Sequence, residues 1–197
     1  MRITTGKYKG RVIKMPKGIR PTQDKVRKAL FDILGDVEGL SFLELFAGSG
    51  AVGIEAVSRG VKELVLVESD STCQQVLKRN IESLKSRIPE LCTQKADKAI
   101  LRFQKEKRRF DIIFLDPPYY KGMAKKTLQM LGAYDILSPK GFLVVQHFKK
   151  DDLPEALGDL RLLKRSSYGD TVLSFYRKGN PNLQIPNPKQ IPISKSQ

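Results

Sequence analysis

The stretch SFLELFAGSGAVG, residues 41–53, decides the fold of this chain. Its apolar run Phe42–Phe46 predicts a buried strand, and Ala51–Arg59 has the composition of a helix closed by Gly60. Three glycines near the junction of these elements fit the spacing G-x-G-x-x-G. Glycine permits a tight turn, which brings main-chain N–H groups up to a ligand at the helix N-terminus. The stretch therefore predicts a binding site for a nucleotide-like ligand.

Strands and helices alternate outward from this turn, which is typical of a mostly parallel sheet with helices on both faces. We expect an α/β, Rossmann-like fold of seven strands with an antiparallel last strand, in one domain over residues 1–178. Residues 1–35 would form a basic arm and helix, and residues 179–197 a disordered tail. The predicted strands are Phe42–Phe46, Glu63–Val67, Leu91–Gln94, Phe110–Leu115, Phe142–Gln146, Leu160–Ser166 and Thr171–Arg177. The predicted helices are one capped by Thr22, Ala51–Arg59, one with the core face Leu77, Ile81, Leu84 and Ile88, and Ala124–Leu131.

Two carboxylates flank the glycine-rich turn. Glu68 ends the second predicted strand, about 20 residues after Gly48, where a carboxylate can accept hydrogen bonds from both ribose hydroxyls. This pair fits either NAD or S-adenosylmethionine. Glu44, in the first predicted strand, favours S-adenosylmethionine, because an anion repels a pyrophosphate but stabilises an ammonium and a sulfonium. NAD-dependent oxidoreduction is the weaker alternative.

The segment Asp116-Pro117-Pro118-Tyr119 directly follows the fourth predicted strand. Two prolines end strand pairing and stiffen a turn at the carboxyl end of the sheet, where ligands bind in open α/β folds. Asp116 and the Pro117 carbonyl could each accept a hydrogen from an exocyclic NH2 group while Tyr119 stacks on the base. Orientation and charge placement would then supply most of the catalysis.

Positive charge is concentrated at the N-terminus. The chain has 36 Lys plus Arg against 21 Asp plus Glu, a net charge of +15. This asymmetry favours a nucleic acid partner, because displacing counterions from phosphates gives salt-dependent affinity. A solvated basic surface or a contact with anionic lipid is the alternative. The first 30 residues hold one acid, Asp24, and ten bases, namely Arg2, Lys7, Lys9, Arg11, Lys14, Lys17, Arg20, Lys25, Arg27 and Lys28.

Several classes of protein are disfavoured by the composition. No apolar run reaches the roughly 20 residues that a bilayer span requires, and no secretory signal is visible, so we expect a cytoplasmic protein without membrane contact. Cys73 and Cys92 lack partners at metal-ligand spacing, so we expect no metal and two buried thiols. His147, the only histidine, is expected to be structural rather than a catalytic base. We expect a monomer.

Taken together, these motifs resemble those of the RsmD family of class I S-adenosylmethionine-dependent methyltransferases, which methylate guanine N2 in bacterial 16S ribosomal RNA. The resemblance spans roughly residues 2–178. Its family-specific part includes Arg20-Pro21-Thr22, Val26-Arg27 and Leu30-Phe31, whereas Asp-Pro-Pro-Tyr is shared with DNA adenine methyltransferases.

The resemblance implies roles for individual residues and a single reaction. The implied activity is methyl transfer to N2 of a guanine in 16S rRNA, either free or in an assembling small subunit. DNA adenine-N6 methylation and a non-catalytic RNA-binding assembly factor are the alternatives. Gln146-His147 departs from the family, since an acid is expected at the end of that strand. The implied cofactor residues are Thr22, Glu44, Phe46, Gly48, Gly50, Glu68, Ser69, Asp97 and Asp116; the catalytic residues are Asp116, Pro117 and Tyr119; the RNA-binding residues are Lys7, Lys9, Arg11, Lys14 and Arg20.

Overall fold

The computed structural model describes residues 1–16, 24–119 and 122–179. The chain divides into two compact units, the first ending at Ala96 and the second beginning at Asp97. Predictions made for Arg20, Thr22 and residues 180–197 of the tail lie outside the described residues.

The first unit contains a parallel sheet of three strands in the order β3-β2-β1. Leu43 of β1 pairs with Val65 of β2, which pairs with Glu90 of β3. The predicted bounds of β2 are confirmed, and those of β1 and β3 shift by one or two residues. The elements are α1 (Asp24–Leu34), β1 (Ser41–Leu45), α2 (Ala51–Ser58), β2 (Glu63–Val67), α3 (Ser71–Leu84) and β3 (Pro89–Cys92).

Helix α3 is shorter than its apolar pattern indicated. Asp70 caps its N-terminus by accepting a hydrogen bond from the Cys73 N–H at 2.9 Å, which lowers the pKa of Asp70. The helix ends at Leu84, because Lys85 adopts a left-handed backbone with φ of 51°. Ile88 therefore lies outside the helix and is 37% exposed, so its assignment to the core face was wrong.

The N-terminal segment, residues 1–16, is fixed on the first unit by its backbone. Its two ends are joined by an isolated antiparallel β-bridge between Arg2 and Val12. The buried carboxylate of Glu55 in α2 accepts hydrogen bonds from the main-chain N–H groups of Thr4 and Thr5, at 2.8 and 3.0 Å. The Asn80 amide exchanges two 2.9 Å hydrogen bonds with the main chain of Lys14. These contacts hold the segment through its main chain and involve none of its charged side chains.

The second unit contains five strands in the order β4-β5-β8-β7-β6. Strands β4 and β5 are parallel, and all the other pairs are antiparallel, which confirms the predicted change of direction near the C-terminus. The elements are α4 (Ala96–Lys105, which begins at the last residue of the first unit), β4 (Phe110–Leu115), α5 (Met123–Ala133), β5 (Leu137–Phe148), β6 (Ala156–Leu157), β7 (Leu160–Tyr168) and β8 (Thr171–Lys178).

The strand count differs from the prediction in this unit. Strand β6 brings the total among the described residues to eight, since its two residues pair with β7 across a turn at Gly158. Strand β5 begins five residues earlier than predicted, because the register shifts between Phe110 and Ile112 and admits a polar stretch at 138–141. Both features lack the apolar run on which a strand prediction depends.

Candidate active site

The glycine-rich turn after β1 has an unusual backbone. Phe46 has a φ of 61°, in the left-handed region that side chains rarely adopt, and such strain is common at functional sites. Gly48 and Gly50 also have positive φ, at 55° and 74°. A Cβ on Gly50 would lie 2.3 Å from Leu77 Cδ1, whereas one on Gly48 would meet open space. Gly50 therefore serves close packing, and Gly48 leaves the backbone accessible.

Glu68, directly after β2, holds this turn through main-chain groups. Its carboxylate accepts hydrogen bonds from the N–H groups of Gly48 at 2.7 Å, Ser69 at 2.7 Å and Asp70 at 2.8 Å. Its side chain is almost fully buried, and Ser69 is exposed. The structure thus brings together the two sequence-predicted features, the glycine turn and the acid about 20 residues later.

Glu44 lies beneath the first turn of α2. Its Oε2 accepts a hydrogen bond from the Gly53 N–H at 2.8 Å, and only 3% of the residue is exposed. A Cβ on Gly53 would lie 2.7 Å from that oxygen and 2.7 Å from Leu66 Cδ2. The third glycine of the motif therefore allows helix and sheet to approach closely, and the carboxylate complements the positive helix end.

The predicted adenine-binding residue lies at the start of the second unit. Asp97 is exposed in the first turn of α4, and its Oδ1 accepts a hydrogen bond from the Lys98 N–H at 2.8 Å. An acid in this turn suits the helix dipole. Its assignment to the cofactor stays a prediction.

The Asp-Pro-Pro-Tyr turn follows β4 in the second unit. Asp116 is partly exposed, and its Oδ2 accepts a hydrogen bond from Gln146 Nε2 at 2.9 Å. Pro117 is buried and Pro118 is exposed. Sequence reasoning treated Gln146 only as a departure from the family, although parallel pairing of two neighbouring strands would have placed it near Asp116.

Tyr119 is held at both ends of its side chain. Its hydroxyl lies 2.9 Å from Thr171 Oγ1, and its ring centroid lies 5.9 Å from that of Phe148 at an interplanar angle of 41°. The residue is half-buried. Its predicted stacking on a substrate base would therefore start from an anchored ring.

His147 has the environment of a structural residue. The Phe148 carbonyl can only accept, so Nδ1 donates to it at 2.9 Å, and Nε2 accepts from the Ser174 hydroxyl at 2.8 Å. The residue is 3% exposed, and burial lowers its pKa. A neutral imidazole with both nitrogens engaged agrees with the structural role expected for it.

The predicted RNA-binding residues Lys7, Lys9, Arg11 and Lys14 are all exposed. Arg11 lies over the Tyr8 ring at 4.8 Å and donates a hydrogen bond to the Ser83 carbonyl at 2.8 Å. Lys7 Nζ lies 5.5 Å from the centroid of the same ring. The N-terminal segment thus presents four cations on a fixed backbone.

Two other findings bear on the expected chemistry. Within residues 1–16, 24–119 and 122–179, no three His, Cys, Asp or Glu side chains are grouped as a metal would require, and no helix could span a bilayer. Cys73 and Cys92 are buried, and burial raises the pKa of the Cys73 thiol to about 12. A thiol with this pKa stays protonated and does not act as a nucleophile.

Comparison with known proteins identifies the family. The profile described as Conserved hypothetical protein 95 matches residues 1–177. The rRNA methyltransferase candidate YlbH of Bacillus subtilis is 37% identical over 90% of this chain and 99% of its own. Ribosomal RNA small subunit methyltransferase D of Haemophilus influenzae is 32% identical over 90% of this chain and 93% of its own.

A solved structure agrees with the fold. That of yhhF from Escherichia coli, a methyltransferase candidate, superposes with a TM-score of 0.79 at 29% identity, over 90% of this chain and 97% of the other. The expected Rossmann-like methyltransferase fold is thereby confirmed. The chain belongs to the family described as Conserved hypothetical protein 95, and it is a methyltransferase.

Proposed function

We propose that this chain transfers a methyl group to the exocyclic N2 of one guanine in small-subunit (16S) ribosomal RNA. The observation that carries the proposal is the turn after β4, where Asp116 is held by Gln146 next to two prolines. An acceptor-rich turn at the carboxyl end of a strand suits an NH2 group. The relatives named ribosomal RNA small subunit methyltransferase D support RNA as the substrate.

The cofactor is S-adenosylmethionine, whose sulfonium supplies an electrophilic methyl group. The residues of the first unit fit this ligand, since Gly48 leaves open space beside a carboxylate that accepts main-chain hydrogen bonds. Glu68 would accept hydrogen bonds from the ribose hydroxyls, and the neighbouring Ser69 would also contact the cofactor. The methionine end would lie along the turn, near the negative charge of Glu44. Phe46 and Gly50 would contact the methionine end, and Asp97 the adenine amine. Thr22 is also assigned to the cofactor, without a specific partner group.

The acceptor side needs orientation more than strong base catalysis. Asp116 and the Pro117 carbonyl would each accept one hydrogen of the guanine NH2 group, while Tyr119 stacks on the ring. Bound S-adenosylmethionine would supply its methyl carbon to the N2 lone pair, and the carbon–sulfur electrons would leave with sulfur as a neutral thioether. The methylated nitrogen then releases one proton to solvent, for which Asp116 is the first acceptor. Orientation and charge complementarity lower the barrier to this step.

The RNA would be bound by Lys7, Lys9, Arg11, Lys14 and Arg20 through its phosphates. A base within a helix cannot enter such a site, so the target guanine is unpaired or flipped out. The substrate is rRNA, free or in an assembling small subunit, which implies a cytoplasmic protein. We propose that the protein acts as a monomer.

Transfer of labelled methyl from S-adenosylmethionine tests the proposal. Free 16S rRNA, assembled small subunits and duplex DNA serve as separate acceptors, followed by analysis of the modified nucleosides. Label in N2-methylguanosine from rRNA or subunits is the expected result. Label in N6-methyladenine from DNA would overturn the substrate, and binding of RNA and cofactor without transfer in any pool would favour an assembly factor.

A further inference from the structure

We infer that Gln146 is a positioning residue for methyl transfer: its side-chain amide orients the Asp116 carboxylate toward the acceptor nitrogen. The inference rests on the proposed role of Asp116. The Nε2 to Oδ2 distance is 2.9 Å, within hydrogen-bonding range. Gln146 is 5% exposed, so water does not compete readily for this hydrogen bond.

The direction of the amide is fixed by chemistry. An ionised carboxylate only accepts hydrogen bonds, so the amide must present its NH2 group, since the opposite orientation would place two acceptors face to face. A glutamate at this position would present an acceptor in either orientation. Gln146 therefore donates a hydrogen bond without carrying a charge. The acid that the family resemblance leads us to expect at this position could donate only in its protonated form.

The position of Gln146 is fixed by the sheet. Leu115, the last residue of β4, pairs with Val145, so the next residue on each strand lies at the same edge. Gln146 is also paired with Leu173 of β8, and His147 beside it is held by Ser174. The amide thus projects from a strand that pairs with β8 at Gln146 itself and with β4 up to the preceding residue.

The arrangement of Gln146 carries an energetic cost. Its Oε1 is buried and has no hydrogen-bond partner among the described residues. A buried acceptor without a partner destabilises a fold, and a leucine of similar size would avoid that penalty. A residue that must donate to Asp116 cannot be apolar, so the proposed role of Gln146 accounts for this cost.

The test compares Gln146→Glu and Gln146→Leu with the unmodified protein. Both remove the donor; the first keeps the shape of the side chain and the second removes the unpartnered oxygen. We expect kcat to fall about 10- to 100-fold in each, as for a reacting group held in the wrong geometry. We expect the KM for S-adenosylmethionine to stay unchanged and Gln146→Leu to melt at no lower temperature than the unmodified protein.

Gln104→Glu is the matched control. Gln104 lies on α4 of the same unit and also has a buried amide oxygen without a partner among the described residues. The control makes the same change of charge away from the Asp116 turn, so its kcat should stay unchanged. Unchanged kcat in both Gln146 variants, or a loss of kcat that follows a lower melting temperature in both, would overturn the inference.

The design separates this inference from the proposed function. Total nucleic acid and ribosomal subunits from cells that lack this methyltransferase serve as acceptors, so turnover is measured whichever base is methylated, and nucleoside analysis identifies the product. A product other than N2-methylguanosine overturns the proposed substrate, while the ratio of variant to unmodified kcat still reports on Gln146. N2-methylguanosine formed at equal rates by all proteins overturns the role of Gln146 alone.

Discussion

Two carboxylates of this protein are held by different kinds of group. Glu68 receives three hydrogen bonds from main-chain N–H groups and is almost fully buried. Asp116 is more exposed and receives a hydrogen bond from the side chain of Gln146. A site built from backbone depends on the path of the chain, whereas a site built from side chains depends on the identity of single residues. The cofactor side should therefore tolerate substitution of its neighbours better than the acceptor side.

The sharpest test of this difference is Asp116→Ala. We expect methyl transfer to fall by at least about 100-fold, because the orienting acceptor for the substrate amine is lost. The dissociation constant for S-adenosylmethionine, measured by calorimetry, should change little, because Asp116 is only one of the nine residues assigned to the cofactor. The exposed Asp152 of the same unit provides the control Asp152→Ala, which should retain activity. Unchanged turnover of Asp116→Ala would remove this residue from the mechanism.

Glu68→Gln tests the other side of the comparison. A glutamine has one acceptor oxygen for three main-chain donors, and its NH2 group would face at least one of them. Loss of charged hydrogen bonds should weaken S-adenosylmethionine binding about 10- to 100-fold. Saturating cofactor should restore most of kcat. A lower kcat at saturation, with an unchanged dissociation constant, would contradict the division of roles.

The N-terminal segment extends the comparison to RNA binding. Neutral replacement of Lys7, Lys9, Arg11 and Lys14 should leave the segment in place, since Glu55 and Asn80 hold its main chain. We expect the slope of log K against log salt for single-stranded RNA to become shallower by about 3, for four lost phosphate contacts. A control with Lys98, Lys105, Lys140 and Lys150 replaced carries the same change in net charge. Equal slopes in both variants would exclude a specific role for the segment.

The smallest expected effect concerns the strand that carries Gln146. Burial lowers the pKa of His147, so the unfolded chain takes up a proton below about pH 6.5 before the folded protein does. The free energy of unfolding should therefore decrease as the pH falls through this value, with a slope of at most about 1.4 kcal/mol per pH unit. Urea unfolding at pH 7.5 and 5.5 should show a smaller decrease for His147→Gln. An equal decrease in both proteins would assign the pH dependence to other groups.

The sequence predicts those parts of the molecule that local pattern determines. Strands β2 and β4 have the predicted bounds, because each is apolar except for one acid near its start and has polar residues on both sides. The pairing of the Gly48 turn with Glu68 follows from the spacing of two parallel strands, whose carboxyl ends share one edge. Features that the path of the backbone determines could therefore be predicted from the sequence.

Helix α4 was not predicted, although Ala99, Ile100 and Phe103 recur at helical spacing on its buried face. Features that depend on tertiary contacts were also missed. Parallel pairing of β4 and β5 would have placed Gln146 near Asp116, but the hydrogen bond between their side chains depends on the register of β5. The buried pair Arg27 and Glu55, 3.6 Å apart, joins residues 28 positions distant in sequence, and charge patterning alone places such residues at the surface.

The close packing at Gly53 has a consequence for mutational scans of this protein. A single added methyl group would lie within 2.8 Å of Glu44 and two leucines, so alanine there must displace these buried side chains or push α2 outward, and either shift disturbs the hydrogen bond from Gly53 N–H to Glu44. The preceding residues 48–50 form the ligand turn and would move with the helix. A scan scored by cofactor binding would therefore rank Gly53 as a ligand contact. The glycine is needed there for a steric reason, and its replacement would affect the ligand turn only through the helix. Thermal stability measured alongside binding would separate the two causes.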